Sequence, residues 1–253
     1  MSKKIRSILF INFAILLAGF FVMDLISGQV SIPLKEVFKI LLGQESSKST
    51  WEYIILNFIL PKAITAILVG MGLSISGLLM QTLFRNPLAG PYVLGLSSGS
   101  SLGVAFVILG AGFLPSFLNE VVLSNYGIVL ASCLGSFLVV LAILIVAQRL
   151  RNTMSILIVG LMFGSFAGAI VNVLTYFSSA EQFQKFTFWL MVNLGFLSWN
   201  SIGILGTVVG CGLLLSLFSI KSLDALLLGE NYAKSVGLNF KKARSIIIIA
   251  TSI

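Results

Sequence analysis

Blocks of about 20 apolar residues recur along this chain, and they limit its fold more strongly than any other feature. A helix of that length crosses the roughly 30 Å hydrocarbon core of a bilayer. Of the 253 residues, 58% are apolar and 9% are charged, whereas soluble domains carry about 25% charged residues. So few charges cannot cover a water-exposed surface of this size. The pattern therefore predicts an all-α, polytopic transmembrane helix bundle.

Six apolar blocks and the start of a seventh can be assigned as membrane spans. They cover residues 7–24, 63–84, 92–114, 121–147, 154–177 and 199–220, and the seventh opens at Ser245. From Ser245 to Ile253 there is only about 13 Å of helix, which is less than half a bilayer. We therefore expect one transmembrane domain over residues 1–253 that is incomplete at its C-terminus. The first block is long and lacks a cleavage site, so it is predicted to be a span and not a signal peptide.

The distribution of charge predicts the orientation of the chain. The loops on the N-terminal side carry eleven basic and two acidic residues, a net charge of +9, and the loops on the other side carry a net charge of −1. Cytoplasmic loops of membrane proteins are enriched in Lys and Arg. The N-terminus and the segment 221–244 are therefore predicted to be cytoplasmic. Because the basic charge is explained by orientation, no nucleic-acid partner is expected.

Missing residue types exclude several classes of membrane protein. The chain has no His, so we expect no metal site and no His general base. The spans carry almost no ionisable groups, which argues against a proton-coupled carrier and a voltage sensor. No phosphate-binding loop of the Gly-x4-Gly-Lys-Ser/Thr type is present, so energy from ATP must come through another subunit. Cys133 and Cys211 lie in separate spans and are predicted to be reduced.

Small residues repeat at four-residue spacing within the spans. The clearest ridge has Gly at every fourth position of 160–168. Such ridges let helix backbones approach closely, so helix packing is the favoured interpretation, and a substrate pathway is compatible with it. Ser97 and Ser98, followed by Gly99, place hydroxyls inside a span, where they must face protein or a water-filled cavity. They either bond between helices or line a pathway.

Two features outside the spans carry turn or helix signals. Arg85-Asn86-Pro87 begins the connection between the second and third spans, where the Asn-Pro step favours a turn and Pro stops a helix. On the other side of the membrane, residues 33–43 have the pattern of a short amphipathic helix, which is too short to span.

The segment 221–244 is the longest feature on the predicted cytoplasmic side. It combines apolar residues with Gly229 and Gly237, which favour helix ends and turns. Short helices in this position can dock into a groove on a cytoplasmic partner. A plain interfacial helix is the alternative, and the spacing alone leaves both open.

Two stretches, residues 60–99 and 228–238, together resemble the FecCD family, the permease subunits of type II ABC importers for iron–siderophore complexes, haem and cobalamin. The resemblance covers essentially the whole chain. It implies a fold of ten transmembrane helices, of which this chain covers about six and a half. It also implies that two permease copies, or two paralogues, work together.

The resemblance implies a coupling role for part of the cytoplasmic segment 221–244. The residues that would belong to helices docking on a cytoplasmic ATPase are Gly229, Glu230, Ala233, Gly237 and Leu238.

The resemblance also implies a gate and a docking contact. Asn152, Thr153 and Met154 would lie near the cytoplasmic gate, although Met154 departs from the small hydroxyl residue common there. Ser97, Ser98 and Gly99 would lie on the pathway. Lys62 stands where the family usually has Arg, and it would contact the substrate-binding protein as a point charge without the bidentate fork.

These observations together predict a permease subunit of an ATP-driven importer in the bacterial cytoplasmic membrane. Its expected substrate is an iron–siderophore or a similar metal chelate. We expect no catalytic site and no cofactor in this chain, since ATP and Mg²⁺ would be held by a separate ABC ATPase dimer. A substrate-binding protein and membrane lipid are the other expected partners. Haem and cobalamin are alternative substrates, and a secondary carrier or a membrane scaffold are the alternative classes.

Overall fold

The computed structural model describes residues 3–26, 30, 32–113, 122–150, 153–191, 194–195 and 197–253. These residues are predominantly helical and contain no β-strand, which confirms the predicted all-α class. In chain order the α-helices are α1 Lys3–Ile26, α2 Leu34–Leu41, α3 Ser49–Ile54, α4 Leu60–Phe84, α5 Leu96–Ile108, α6 Asn125–Arg149, α7 Thr153–Phe177, α8 Ala180–Leu190, α9 Trp199–Leu227, α10 Glu230–Ser235 and α11 Phe240–Ser252.

Five helical runs among the described residues are long and apolar enough to cross a membrane. They are Lys4–Ile26, Ser49–Phe84, Tyr126–Arg149, Met154–Phe177 and Trp199–Leu227. Each contains one of the predicted spans or most of it. Many of their apolar side chains are exposed, as lipid-facing or helix-facing surfaces require. The polytopic prediction is therefore confirmed.

The third predicted span, residues 92–114, differs from the structure. A 3₁₀ turn occupies Pro91–Leu94, Gly95 adopts a left-handed conformation with φ +73°, and α5 has only 13 residues. A Cβ on Gly95 would lie 3.0 Å from the carbonyl oxygen of Gly160. Because α7 approaches the backbone so closely here, the chain enters the bundle through a turn, and a shorter helix follows.

Two other boundaries also differ from the prediction. A π-helical turn at Ile55–Ile59 joins α3 to α4, so the second apolar run is 36 residues long and begins at Ser49. The segment 221–244 is not a loop throughout, because α9 continues to Leu227 and α11 begins at Phe240. Charged residues end an apolar run, but Lys and Glu are good helix formers and need not end a helix.

The described residues form two compact units. The first consists of Met1–Gly70 and Asn193–Thr207. Its core comprises Leu25, Ile32, Val37, Ile40, Ile55 and Ala63. Helix α2 confirms the short helix predicted over residues 33–43. The Glu36 carboxylate accepts hydrogen bonds from Lys39 Nζ and from the Ser47 backbone N–H, both at 2.8 Å. The bond from Lys39, followed by the bond from Ser47, lowers the pKa of Glu36 from 4.5 to about 2.

Glu36→Gln is expected to loosen residues 33–48, because it removes the negative charge to which Lys39 and the Ser47 N–H donate. A lowered pKa favours the carboxylate in the folded state, so its contribution is fully present above pH 4.5 and is lost as the pH falls through about 2. Hydrogen exchange of wild type and variant, compared at the same pH, measures this. The difference should be constant well above pH 4.5, should shrink as the pH falls towards about 2, and should be lost only below that pH. Glu45→Gln, at an exposed carboxylate, is the control. A difference that is as large at pH 2 as it is above pH 4.5 contradicts the assignment.

The second unit consists of Met71–Val192 and Val208–Ile253. The predicted glycine ridge of α7 is used in two ways. A Cβ on Gly160 would collide with the backbone of Val93, and one on Gly164 would lie 3.3 Å from Ser98 Oγ. Gly168 has open space instead. Two members of the ridge therefore pack against the chain at the start of α5, and the third faces a cavity.

Candidate coupling and pathway sites

The first candidate element is the turn that ends α4. Arg85 adopts a left-handed conformation, with φ +50°, and the Asn86 N–H bonds to the Gln81 carbonyl at 3.1 Å. Glycine usually occupies this position at a helix end. Asn86 then forms the predicted turn, since its carbonyl accepts from Ala89 N–H at 3.1 Å and its side-chain oxygen from Leu88 N–H at 2.9 Å.

The second candidate element is the segment between α9 and α11, which contains α10. Gly229 has φ +116° and Gly237 has φ +86°, so both ends of α10 use conformations that L side chains rarely adopt. The Leu238 N–H bonds back to the Ala233 carbonyl at 3.0 Å, which closes the C-terminus of α10. The two glycines predicted from sequence are therefore the two turning points.

The segment around α10, from Leu226 to Leu238, has buried and exposed apolar residues. Ala233 is fully buried and Leu226 nearly so, both in the main core of the second unit, against which Leu238 also packs. Four apolar side chains of this region stay exposed to between 50% and 66%: Leu227, Leu228, Tyr232 and Val236. We call these four residues the coupling surface. The side chain of Glu230 lies outside the described part of the chain.

The turn after α4 and the turn before α10 lie side by side. A Cβ placed on Gly229 would be 3.6 Å from Nη1 of Arg85. Leu83, Phe84 and Ala89, which flank Arg85, are buried in the same core as Ala233. The structure thus brings together two motifs that are about 140 residues apart in sequence, and a rigid core supports both.

A cavity of about 300 Å³ lies in the second unit. It is lined by Ser97, Ser98, Ser101, Gly168, Val171, Asn172, Phe186 and Leu190. None of these side chains is charged. Its hydroxyl and amide groups can hydrogen-bond a neutral surface of a solute, but its lining cannot neutralise a charge.

The structure separates the predicted pathway residues. Ser97 and Ser98 line the cavity, whereas Gly99 packs against α6, where its Cβ would lie 2.7 Å from the Gly135 carbonyl oxygen. Ser100, two positions after Ser98, bonds to Ser132 on α6 at 2.5 Å. Ser100 therefore bonds between helices, whereas Ser97 and Ser98 line the cavity, and their role in a pathway stays a prediction.

Two lining elements were missed from the sequence. Phe186 lies on α8, a helix that the apolar blocks did not indicate, and Asn172 is a polar residue in the last third of α7. A signal for α8 exists in the sequence. Ser179 and Gln182 form a capping box, in which each side chain bonds to the backbone N–H of the other, and this pattern marks a helix start.

The predicted gate residues lie at the start of α7. The backbone of Thr153 begins the helix, and Met154, the next residue, has a side chain that is 45% exposed. Asn152 lies outside the described residues. The structure places Met154 and the cavity on the same helix, but it does not join them in one site.

Lys62, the predicted docking residue, is ion-paired. Its Nζ lies 3.0 Å from Oδ1 of Asp24, and both side chains remain partly exposed, at 51% and 38%. An exposed pair of this kind contributes little to stability. The positive charge at Lys62 is therefore offset by a neighbouring carboxylate.

This protein is a polytopic helical membrane protein. Its long apolar helices pack on small residues, and a structured turn lies on the predicted cytoplasmic side. A model of the FecCD transport family matches residues 15–253, and the chain belongs to that family. The resemblance found in the sequence is therefore confirmed.

Two relatives that are named as permeases support the assignment of this chain to the FecCD family. The hemin transport system permease protein HmuU of Yersinia pestis is 32% identical over 218 residues, which cover 85% of this chain and 63% of HmuU. The vitamin B12 import system permease protein BtuC of Escherichia coli O6:H1 is 32% identical over 193 residues, which cover 76% of this chain and 56% of BtuC. The chain thus spans less than two thirds of the length of these relatives.

A solved structure has the same fold. It is described as an inward-facing conformation of a proposed metal-chelate type ABC transporter. It matches with a TM-score of 0.79 at 26% identity, over 98% of this chain and 73% of that one.

Proposed function

We propose that this chain is the permease subunit of a type II ABC importer that moves a metal chelate across the bacterial cytoplasmic membrane. The coupling surface is the observation that carries this proposal. Four exposed apolar side chains lie on a segment that the charge distribution predicts to be cytoplasmic. A clustered, water-exposed apolar surface marks a docking site. A short helix with a glycine turn at each end suits docking into a groove on a cytoplasmic ATPase.

In the proposed mechanism, each subunit of the importer has a separate role. A substrate-binding protein would deliver the chelate on the outer side, where Lys62 and Asp24 are available for contact. ATP binding and hydrolysis in the ATPase dimer would move α10, and this movement would alternate access to the cavity lined by Ser97, Ser98 and Asn172. A second permease copy or a paralogue would complete the pathway. The permease supplies no catalytic group, and its N-terminus is cytoplasmic.

An iron–siderophore is the substrate that we propose first. Haem and cobalamin are the alternatives, because HmuU and BtuC carry those names. All three are bulky and bring their metal already ligated. An uncharged cavity with hydroxyl and amide groups fits a solute whose metal is enclosed by its own ligands.

Mass spectrometry of the native protein, purified from membranes in mild detergent, tests the proposed assembly. We expect a P-loop ATPase to co-purify, because the coupling surface would be covered by it. A protein that returns without an ATPase, although it is folded and stable, would contradict the importer assignment. The variant Lys241→Met serves as the control. It changes an exposed residue beyond the coupling surface, so the ATPase should still co-purify with it.

A further inference from the structure

Arg244 is a buried arginine in the second turn of α11. The residue is 2% exposed. Both terminal nitrogens, Nη1 and Nη2, donate to the carbonyl oxygen of Leu150 at 3.3 Å. Its guanidinium carbon lies 5.4 Å from the centre of the Phe240 ring. Burying a guanidinium is costly unless hydrogen bonds and favourable charge compensate for it, so these contacts hold Arg244 in place.

The acceptor of these bonds, the carbonyl oxygen of Leu150, lies at the end of α6. Leu150 is the residue that caps the C-terminus of α6, and α7 begins three residues later, at Thr153. The last carbonyls of a helix lack partners within the helix and carry partial negative charge, which a cation stabilises. Arg244 therefore closes the end of α6 from a position 94 residues away in sequence.

Arg244 also belongs to the structure that follows α10. Phe240, which carries the ring beneath the guanidinium, is the first residue of α11, and the Asn239 side chain caps this helix by accepting from the Lys242 N–H at 3.1 Å. The sequence placed Arg244 among the cytoplasmic loop charges. The structure adds that its side chain is buried and that its charge is used inside the protein.

We propose that Arg244 is a positioning residue that transmits movement of the segment 221–244 to Leu150, the residue that ends α6. The inference rests on the proposed function, because the expected gate is at the start of α7. The planar guanidinium makes two bonds to one oxygen, so a shift or rotation of α11 either carries Leu150 with it or breaks these bonds. A lysine would keep the charge but would lose this paired geometry.

The test uses the full-length native permease with its ATPase in proteoliposomes. Cys133 and Cys211 are replaced by Ser, and Met154→Cys places a reporter thiol on the second residue of α7. The rate of maleimide labelling is measured with and without ATP. Arg244→Met removes the donors, Arg244→Lys keeps the charge, and Lys241→Met is the matched control at an exposed site on the same helix.

We expect ATP to change the labelling rate equally in the parent and in Lys241→Met. In Arg244→Met this response should fall by about tenfold, which is within the usual range of coupling between sites, while ATP hydrolysis continues. Arg244→Lys should recover part of the response. A full response in Arg244→Met, even with a lower melting temperature, shows a merely structural role and overturns the inference.

The outcomes separate this inference from the proposed function. If the parent binds no ATPase, the proposed function itself is contradicted. If the parent responds to ATP and Arg244→Met responds equally, only the inference fails. Should Arg244→Met not assemble, Arg244→Lys takes its place, because it keeps the charge but loses the paired hydrogen bonds to Leu150. A reduced response in that variant supports the inference, and an unchanged one overturns it.

Discussion

Replacing Gly135 with Val is expected to destabilise the second unit strongly and to lower its melting temperature. Gly135 on α6 faces Gly99 and Gly103 on α5, and a Cβ at this position would collide with the Gly99 carbonyl. The obstacle is backbone, which cannot rotate away as a side chain can. Overpacking a core costs about 1–3 kcal/mol, and we expect this substitution to reach at least the upper end of that range. Thermal unfolding of the purified protein in detergent measures the effect.

Gly210→Val is the matched control for this prediction. Gly210 also lies in a long apolar helix, α9, but a Cβ there would meet no neighbouring atom within 4 Å. Its melting temperature should stay near that of wild type. If Gly135→Val and Gly210→Val melt at the same temperature, the close approach of α5 and α6 is not a determinant of stability.

Replacing Leu228 and Val236 together with Glu is expected to abolish binding of the ATPase. Both side chains are exposed, at 66% and 65%, so the substitutions should leave the fold intact. Two carboxylates would be buried without partners in the docked complex. Interface residues that dominate binding contribute about 2 kcal/mol or more each, which corresponds to a loss of affinity of about 30-fold or more for one such residue. Affinity of the purified permease for its ATPase measures this, with ATP-dependent uptake as the second readout.

The control for this prediction matches the change in charge. Lys241→Glu lowers the net charge by two, as the double substitution does, at another exposed position beyond α10. We expect it to bind the ATPase nearly normally. If the double variant and Lys241→Glu bind equally well, the coupling surface is not the docking site.

Features that depend on local sequence could be predicted. The five long apolar helical runs follow from the length that a bilayer requires, and that length can be counted along the chain. Gly229 and Gly237 were predicted as turning points because glycine adopts a positive φ at little cost. The Asn86-Pro87 turn was predicted for a similar reason, since its hydrogen bonds lie within a few residues.

Features that depend on distant neighbours could not be predicted. Gly95 forms a turn because Gly160 comes close to it, so the third span is shorter than its composition suggested. Arg244 is buried because the Leu150 carbonyl accepts its hydrogen bonds, whereas the sequence showed only a basic residue near other basic residues. Arg85 takes a left-handed conformation that its residue type does not favour. In each case the cause is packing in three dimensions.

ATP-dependent uptake into proteoliposomes is the most direct test of the central claim. The native permease and its ATPase are reconstituted together, and uptake is compared for an iron-loaded siderophore, hemin and cyanocobalamin, each supplied with its binding protein. We predict uptake of one of these chelates with ATP, none with a non-hydrolysable analogue, and none in the Leu228 and Val236 double variant. Equal uptake with and without ATP would contradict the account and would favour a secondary carrier.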